Sequence, residues 1–220
     1  GADVANANEE SFLRMLIVKP GDSEQLRREV AIMLTQYGID VYGALNGGAV
    51  WFATGGHDLG MKLPVTFAGV ILNNTAIKNA VMNAPRTSFA ESGAIHPITT
   101  TNASVPIWGQ YPQFPSGNFE ALYWSDITNP QDRTIRDPYK YIDGGPVSGT
   151  WYQACCTSQS YKGSALIARL IPGMQAVLND EPFLEYTDRW VNFGAWSQPD
   201  PCAPLSQGGG PNPAIPGQCI

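Results

Sequence analysis

Charge is what this sequence most lacks. Of its 220 residues only 15% are Asp, Glu, Lys or Arg, against about a quarter in an average soluble domain. What charge there is leans acidic, with a formal net of −6. That balance excludes the broad basic face by which proteins hold nucleic acid or an anionic membrane. It leaves room for a polyanionic substrate, because a local Arg/Lys cluster is enough for one. Long apolar runs are also missing: residues 63–72, the most apolar stretch, cover about half of the roughly 20 residues that a membrane span needs. Neither nucleic acid nor a membrane is therefore an expected partner. Histidine occurs only twice, at positions 57 and 96, and cysteine four times. Neither falls into a zinc-binding spacing, so no metal and no cofactor is expected. A Ser nucleophile elbow, a Rossmann fingerprint and a paired-Cys redox motif are absent as well. "GALNGG", residues 43–48, lacks the strand and the Lys-Ser/Thr pair of a phosphate loop.

What the chain has instead is glycine (23), proline (18), six Trp and nine Tyr within a 43% hydrophobic composition. There is ample material for a core, and the excess of Gly, Pro and aromatics predicts long ordered loops. The chain opens Gly-Ala-Asp-Val, without an initiator Met or signal peptide, and is read as a processed piece of a longer precursor. Adjacent Cys155 and Cys156 would need a strained ring to bridge each other. They are expected to reach separately to Cys202 and Cys219, pinning the Pro/Gly-rich tail 199–220; reduced thiols are the plainer alternative. Sequons at Asn73 and Asn102 are compatible with secretion, and an extracellular location is expected.

Helical periodicity dominates the first third. A helix is predicted over residues 9–18, ended by Lys19-Pro20-Gly21. A second starts at Asp22 or Ser23, where Asp22 and Gln25 resemble a capping box. It carries Leu26, Val30, Met33, Leu34, Tyr37 and Val41 at helical spacing and stops near Leu45 before Asn46-Gly47-Gly48. Residues 63–72 are apolar nearly all round and so predict a helix buried on every side. A short helix follows over 75–82. From Arg86 to Ser160 the periodicity vanishes into Pro, Gly, Thr and aromatics, a length of irregular chain that usually signals function. Helix returns over 164–171, and Asp180 caps a last helix bearing Tyr186, Trp190 and Phe193. The fold class is mainly α: antiparallel helical hairpins over 1–198, interrupted by an irregular loop insertion at about 85–160.

Two constellations carry candidate chemistry. In "GGHDLGMK" the glycines let the backbone approach a ligand at the start of a helix. His57 there is a base, an acid or a donor to a bound anion, with Asp58 and Lys62 beside it; a plain capping turn is the alternative. Gln36 and Asp40, four apart on the preceding helix, share a face from which they could orient His57. In "RDPYKYIDGGP" and "TWYQACC", the residues Arg136, Asp137, Tyr139, Tyr141, Asp143, Trp151, Tyr152 and Gln153 sit in loops stiffened by Gly and Pro. Aromatic rings stack on sugar faces while Asp, Gln and Arg bond hydroxyls and carboxylates, as in a polar concave site; loop packing is the competing account. Glu185 and Arg189 are spaced as an i,i+4 surface pair, and His96, before Pro97, reads as a loop residue.

The run "QYGIDVYGALNGGAVWFATGGHDLGMKLPVTFAGVILNN", with the later "YIDGG" and "DRWV", resembles secreted bacterial α/α-toroid proteins, the polysaccharide lyases and six-hairpin glycosidases. The resemblance covers the first 80 residues or so and thereafter only patches. It implies an incomplete toroid and a lyase that removes the proton α to a uronate carboxylate. His57 would be the carboxylate neutraliser or the base, Tyr141 or Tyr152 the acid/base, and Arg136 a carboxylate partner. Gln36, Asp58, Lys62, Asp143, Trp151 and Gln153 are the expected substrate-binding residues. The expected partners are a polysaccharide or oligosaccharide and either another chain of the same precursor or a second copy. A glycosidase, using two of the carboxylates Asp58, Asp137, Asp143 and Asp188, and a noncatalytic glycan-binding or assembly module are the alternatives.

Overall fold

The computed structural model of the protein describes residues 2–52, 56–99, 104–108 and 157–193. These are mainly helical: α1 (Ala2–Leu16), α2 (Glu24–Asn46), α3 (Lys62–Ile71), α4 (Thr75–Met82), a 3-10 turn (Arg86–Ser88), α5 (Ala90–Gly93), α6 (Ser158–Leu170), α7 (Met174–Leu178) and α8 (Glu181–Phe193). One antiparallel pair, β1 (Ile95–Thr99) and β2 (Ser104–Trp108), interrupts them. The mainly α class expected from periodicity is what these residues form. The expected disulfides, the tail 199–220 and most of the loop insertion lie outside the described residues.

Helix α3 is the pivot. Its residues from Lys62 to Gly69 are all buried, as an all-round apolar pattern requires, while Ile71 and the following Leu72 emerge at its exposed end. Against it lies α2, brought close by Gly38: a Cβ there would sit 2.1 Å from Pro64 O and 2.6 Å from Ala68 Cβ. On the other side Phe12 of α1 meets Phe67 edge-on at 4.9 Å. Tyr161, Phe183, Tyr186 and Trp190 from α6 and α8 complete this main core. Trp190 Nε1 donates to Tyr186 Oη at 2.8 Å, so the buried indole N–H is paired. A second, smaller core gathers Val41, Val65, Ile77, Val81, Phe89 and Val177.

The helix starts follow local polar chemistry. Ser23 caps α2, its Oγ accepting from Leu26 N at 3.3 Å, and Asn74 Oδ1 caps α4 through Ile77 N. The expected Asp22/Gln25 box does not form, because each side chain has a better partner. Asp22 takes both guanidinium nitrogens of Arg14 and the Lys19 amide, while Gln25 donates to Glu29. Three further boundaries differ from the sequence reading. Helix α1 extends back to Ala2, α6 begins at Ser158, and the β pair occupies chain that had no helical period. Pro97 stands opposite Pro106 in that pair, so both missing donors fall on one rung of the ladder.

Candidate functional site

His57 is exposed on a tight turn, residues 56–61, that leads into α3. The turn is shaped by unusual backbone: Asp58 has φ 59° and Gly60 φ +95°. Asp tolerates the left-handed region better than most side chains. Gly60 is needed for a second reason, since a Cβ there would come within 2.7 Å of the Ala5 backbone. Helix α1 thus lies directly on the turn and holds it at two more points. Ala2 N donates to Gly56 O at 2.8 Å, and Asn8 Nδ2 to Gly60 O at 3.0 Å. From α2, Tyr37 Oη donates to Met61 Sδ at 3.2 Å. The stretch before the turn is fixed by Trp51, whose amide donates to Ser88 O at 3.0 Å and whose ring stacks on Phe89 at 5.5 Å.

Beneath the turn lies a buried set of charges. Glu91 Oε1 accepts from Gly60 N at 2.7 Å and from Lys62 N at 3.4 Å, so one carboxyl grips both ends of the turn's last step. Lys62 Nζ points inward, to Asp180 Oδ2 at 2.9 Å and Ser92 Oγ at 2.8 Å. Asp180 also accepts from Arg86 Nη1 and Ser92 Oγ, and caps α8 through Phe183 N at 3.4 Å. Arg86 reaches on to the carbonyls of Ser92 and Ile95, each at 2.7 Å. Burial alone would raise Asp180, but Lys62, Arg86 and Ser92 outweigh it and hold the group below the ordinary carboxylate range, so it stays ionised. Burial lowers Lys62, with Asp180 opposing. It raises Glu91, against hydrogen bonds to its ionised form, and Glu91 Oε2 has no hydrogen-bond partner among the described residues.

A second buried carboxyl stands close by. Glu9 of α1 accepts from Ser164 N at 2.9 Å and Ser164 Oγ at 2.6 Å. Burial drives it up to about 8 despite those bonds, with Glu91 adding to the rise. Glu91, Ser164, Lys62, Leu63, Leu178 and Phe183 enclose a cavity of about 10 Å³, the smallest space that holds a single water.

The sequence-derived candidates separate sharply in this geometry. His57 and Asp58 are neighbours at the surface. Lys62 does not add an accessible charge beside His57 as expected: it is 7% exposed and its ammonium is committed to Asp180. Gln36 is exposed and donates to Asp40 Oδ1 at 2.9 Å, so the two share a face but bond each other rather than His57. Asp188 pairs with Arg169 at 2.8 Å. His96 lies on β1 instead of in a loop. Tyr141, Tyr152, Arg136, Asp143, Trp151 and Gln153 lie outside the described residues, as do Asp137 and Tyr139. A groove of about 390 Å³ between α1 and α2, walled by Arg14, Met15, Leu26 and Arg27 among others, includes none of the candidates.

Sequence reasoning missed Glu9, Arg86, Glu91 and Ser92 altogether and took Asp180 only as a cap. A buried charge is betrayed by its partner, and these partners are remote in sequence. The one local signal was Glu91 sitting among Ala90, Ser92 and Gly93 in "FAESGA", small neighbours that let a carboxyl approach backbone amides. Among the described residues no three His, Cys, Asp or Glu side chains gather as metal ligands, and no helix is long and apolar enough to cross a membrane. No family model, curated protein or solved structure matches the chain.

Proposed function

We propose that this chain is an extracellular polysaccharide-degrading enzyme, a lyase acting on uronate-containing glycan from an incomplete α/α toroid of helical hairpins. The observation that carries this reading is the His57 turn. An imidazole is presented to solvent on backbone fastened by α1, α2 and the buried Glu91 carboxyl. A group that must meet a substrate proton or carboxylate benefits from such preorganisation. The sequence resemblance supplies the chemistry. His57 neutralises the uronate carboxylate or takes the proton α to it, and Arg136 pairs with the carboxylate. Where His57 only neutralises, Tyr141 or Tyr152 takes the α proton; in either case the tyrosine hands a proton to the departing glycosidic oxygen. The carbon–oxygen bond breaks as the carbon–carbon double bond forms, so the product absorbs in the ultraviolet. The same reading assigns sugar binding to Asp58, Asp143, Trp151, Gln153 and Gln36.

The test is incubation with uronate polymers, followed at the absorbance of the unsaturated product. His57→Ala and Tyr141→Phe should each abolish the signal, a loss of about 100-fold or more for removal of a general acid or base. Full activity in His57→Ala would overturn the reading. A noncatalytic glycan-binding or assembly module is favoured by a different observation. Leu26 and Met33, seven apart on one face of α2, are 62% and 71% exposed, apolar surface suited to another chain of the same precursor or a second copy. Under that reading the protein is inert toward uronate polymers, binds glycan, and loses binding in Trp151→Ala.

A further inference from the structure

Helix α1 docks on the main core through Ala5 and Phe12, flanked by the partly buried Ala2, Leu13, Met15 and Leu16. Of its 15 residues only Ala5, Glu9 and Phe12 are fully buried, and Glu9 is the one ionisable group among them. Glu9 lies flat on α6. Its Oε1 takes both the amide and the hydroxyl of Ser164, and a Cβ on Gly163 would strike its Oε2 at 2.2 Å. The charged groups facing it are Lys162 from α6 and Glu91 from α5. From α3, Lys62 is turned to Asp180. Arg27 from α2 and Asp22 from the connection before it line the groove with Arg14, and on the turn His57 and Asp58 face solvent. On α1 itself Asp3, Glu10 and Arg14 are exposed. The same helix provides the Ala2, Ala5 and Asn8 contacts that press on residues 56–60.

We propose that α1 is a proton-operated strap: while Glu9 is neutral it stays docked on α6 and clamps the His57 turn, and ionisation of Glu9 releases helix and turn together. The physical reason is asymmetry of solvation. In the docked state an ionised Glu9 faces Glu91 in a nearly dry interface, whereas in the released state water stabilises the charge. The docked carboxyl holds its proton up to about pH 8, and a released one loses it near pH 4.3. Between those limits each unit of pH multiplies the opening constant about tenfold, and above the upper limit the constant levels off. The strap controls the His57 turn whether or not that turn is catalytic.

Hydrogen exchange of the full chain from pH 5 to 9, expressed as protection factors to remove intrinsic base catalysis, tests this directly. The α1 amides and the Gly60 amide are expected to share one opening constant, larger than that of α3, rising about tenfold per unit and flattening near pH 8. Glu9→Gln should make that constant independent of pH. Lys162→Met, at a half-buried position, should move the plateau upward, because it removes the positive charge that favours ionised Glu9. The proposal is overturned if α1 opens only together with α3, if Gly60 stays protected while α1 exchanges, or if Glu9→Gln keeps the slope. Because the readout is exchange rather than turnover, its failure is separate from failure of the lyase reading.

Discussion

Asp180 performs three tasks with two oxygens. It starts α8, neutralises Lys62 and receives Arg86. Removing it strands an ammonium that is 7% exposed, so Asp180→Ala should destabilise the fold by about 3–5 kcal/mol in urea unfolding. Adding Lys62→Met should recover part of that loss, since an apolar side chain of similar length has no charge to desolvate. The capping role was legible, because an acid before Glu-Pro at the start of a periodic run is a helix start. The ion pair was not. Lys62 follows the apparent site residue His57 so closely that it reads as its neighbour. In the folded chain its first position in α3 turns the side chain toward the interior instead.

At the scale of elements, α2 carries two glycines five residues apart with opposite duties. Gly38 is the notch that lets α3 approach, and a methyl there meets Pro64 O and Ala68 Cβ well inside contact distance. Gly43 faces solvent with nothing within 4 Å of its notional Cβ. Gly38→Ala should therefore cost about 1–3 kcal/mol by overpacking. Gly43→Ala should gain about 0.5–1 kcal/mol by lowering the entropy lost on helix formation. Thermal unfolding of the two variants side by side will show melting temperatures moving in opposite directions. Periodicity made α2, α3 and α4 readable because each buries a stripe or a whole surface of apolar side chains. It was blind to β1 and β2, whose Pro97 and Pro106 argue against any strand, and to α7, which is only five residues long.

For the whole molecule the buried acids give stability a definite pH slope. Glu9 has its folded pKa raised to about 8 by burial, so the folded state holds a proton that the unfolded chain has released. Its contribution is complete below the unfolded value and is lost as pH rises toward 8. Stability should fall by about 1.4 kcal/mol per unit over that window. Asp180 works in the opposite sense at the acid end: its lowered pKa stabilises above the ordinary carboxylate value and fades as pH drops through the folded one. Urea midpoints measured from pH 5 to 8 should decline in the native chain and decline less in Glu9→Gln. The mainly helical class was readable because it depends on local pattern repeated over many turns. The interior charge network was not, since burial of Glu9, Lys62 and Glu91 depends on which distant segments happen to meet.

The decisive contacts join segments made at very different times. Ser164 lies 155 positions from Glu9, and Asp180 lies 118 from Lys62. A chain emerging from the ribosome can wind α1 to α4 early, but it has no counter-ion for Lys62 until residue 180 is free of the exit tunnel. Burying the Lys62 ammonium without that partner would leave an uncompensated interior charge, which is strongly unfavourable. Such separations in sequence slow folding relative to an ordinary helical bundle.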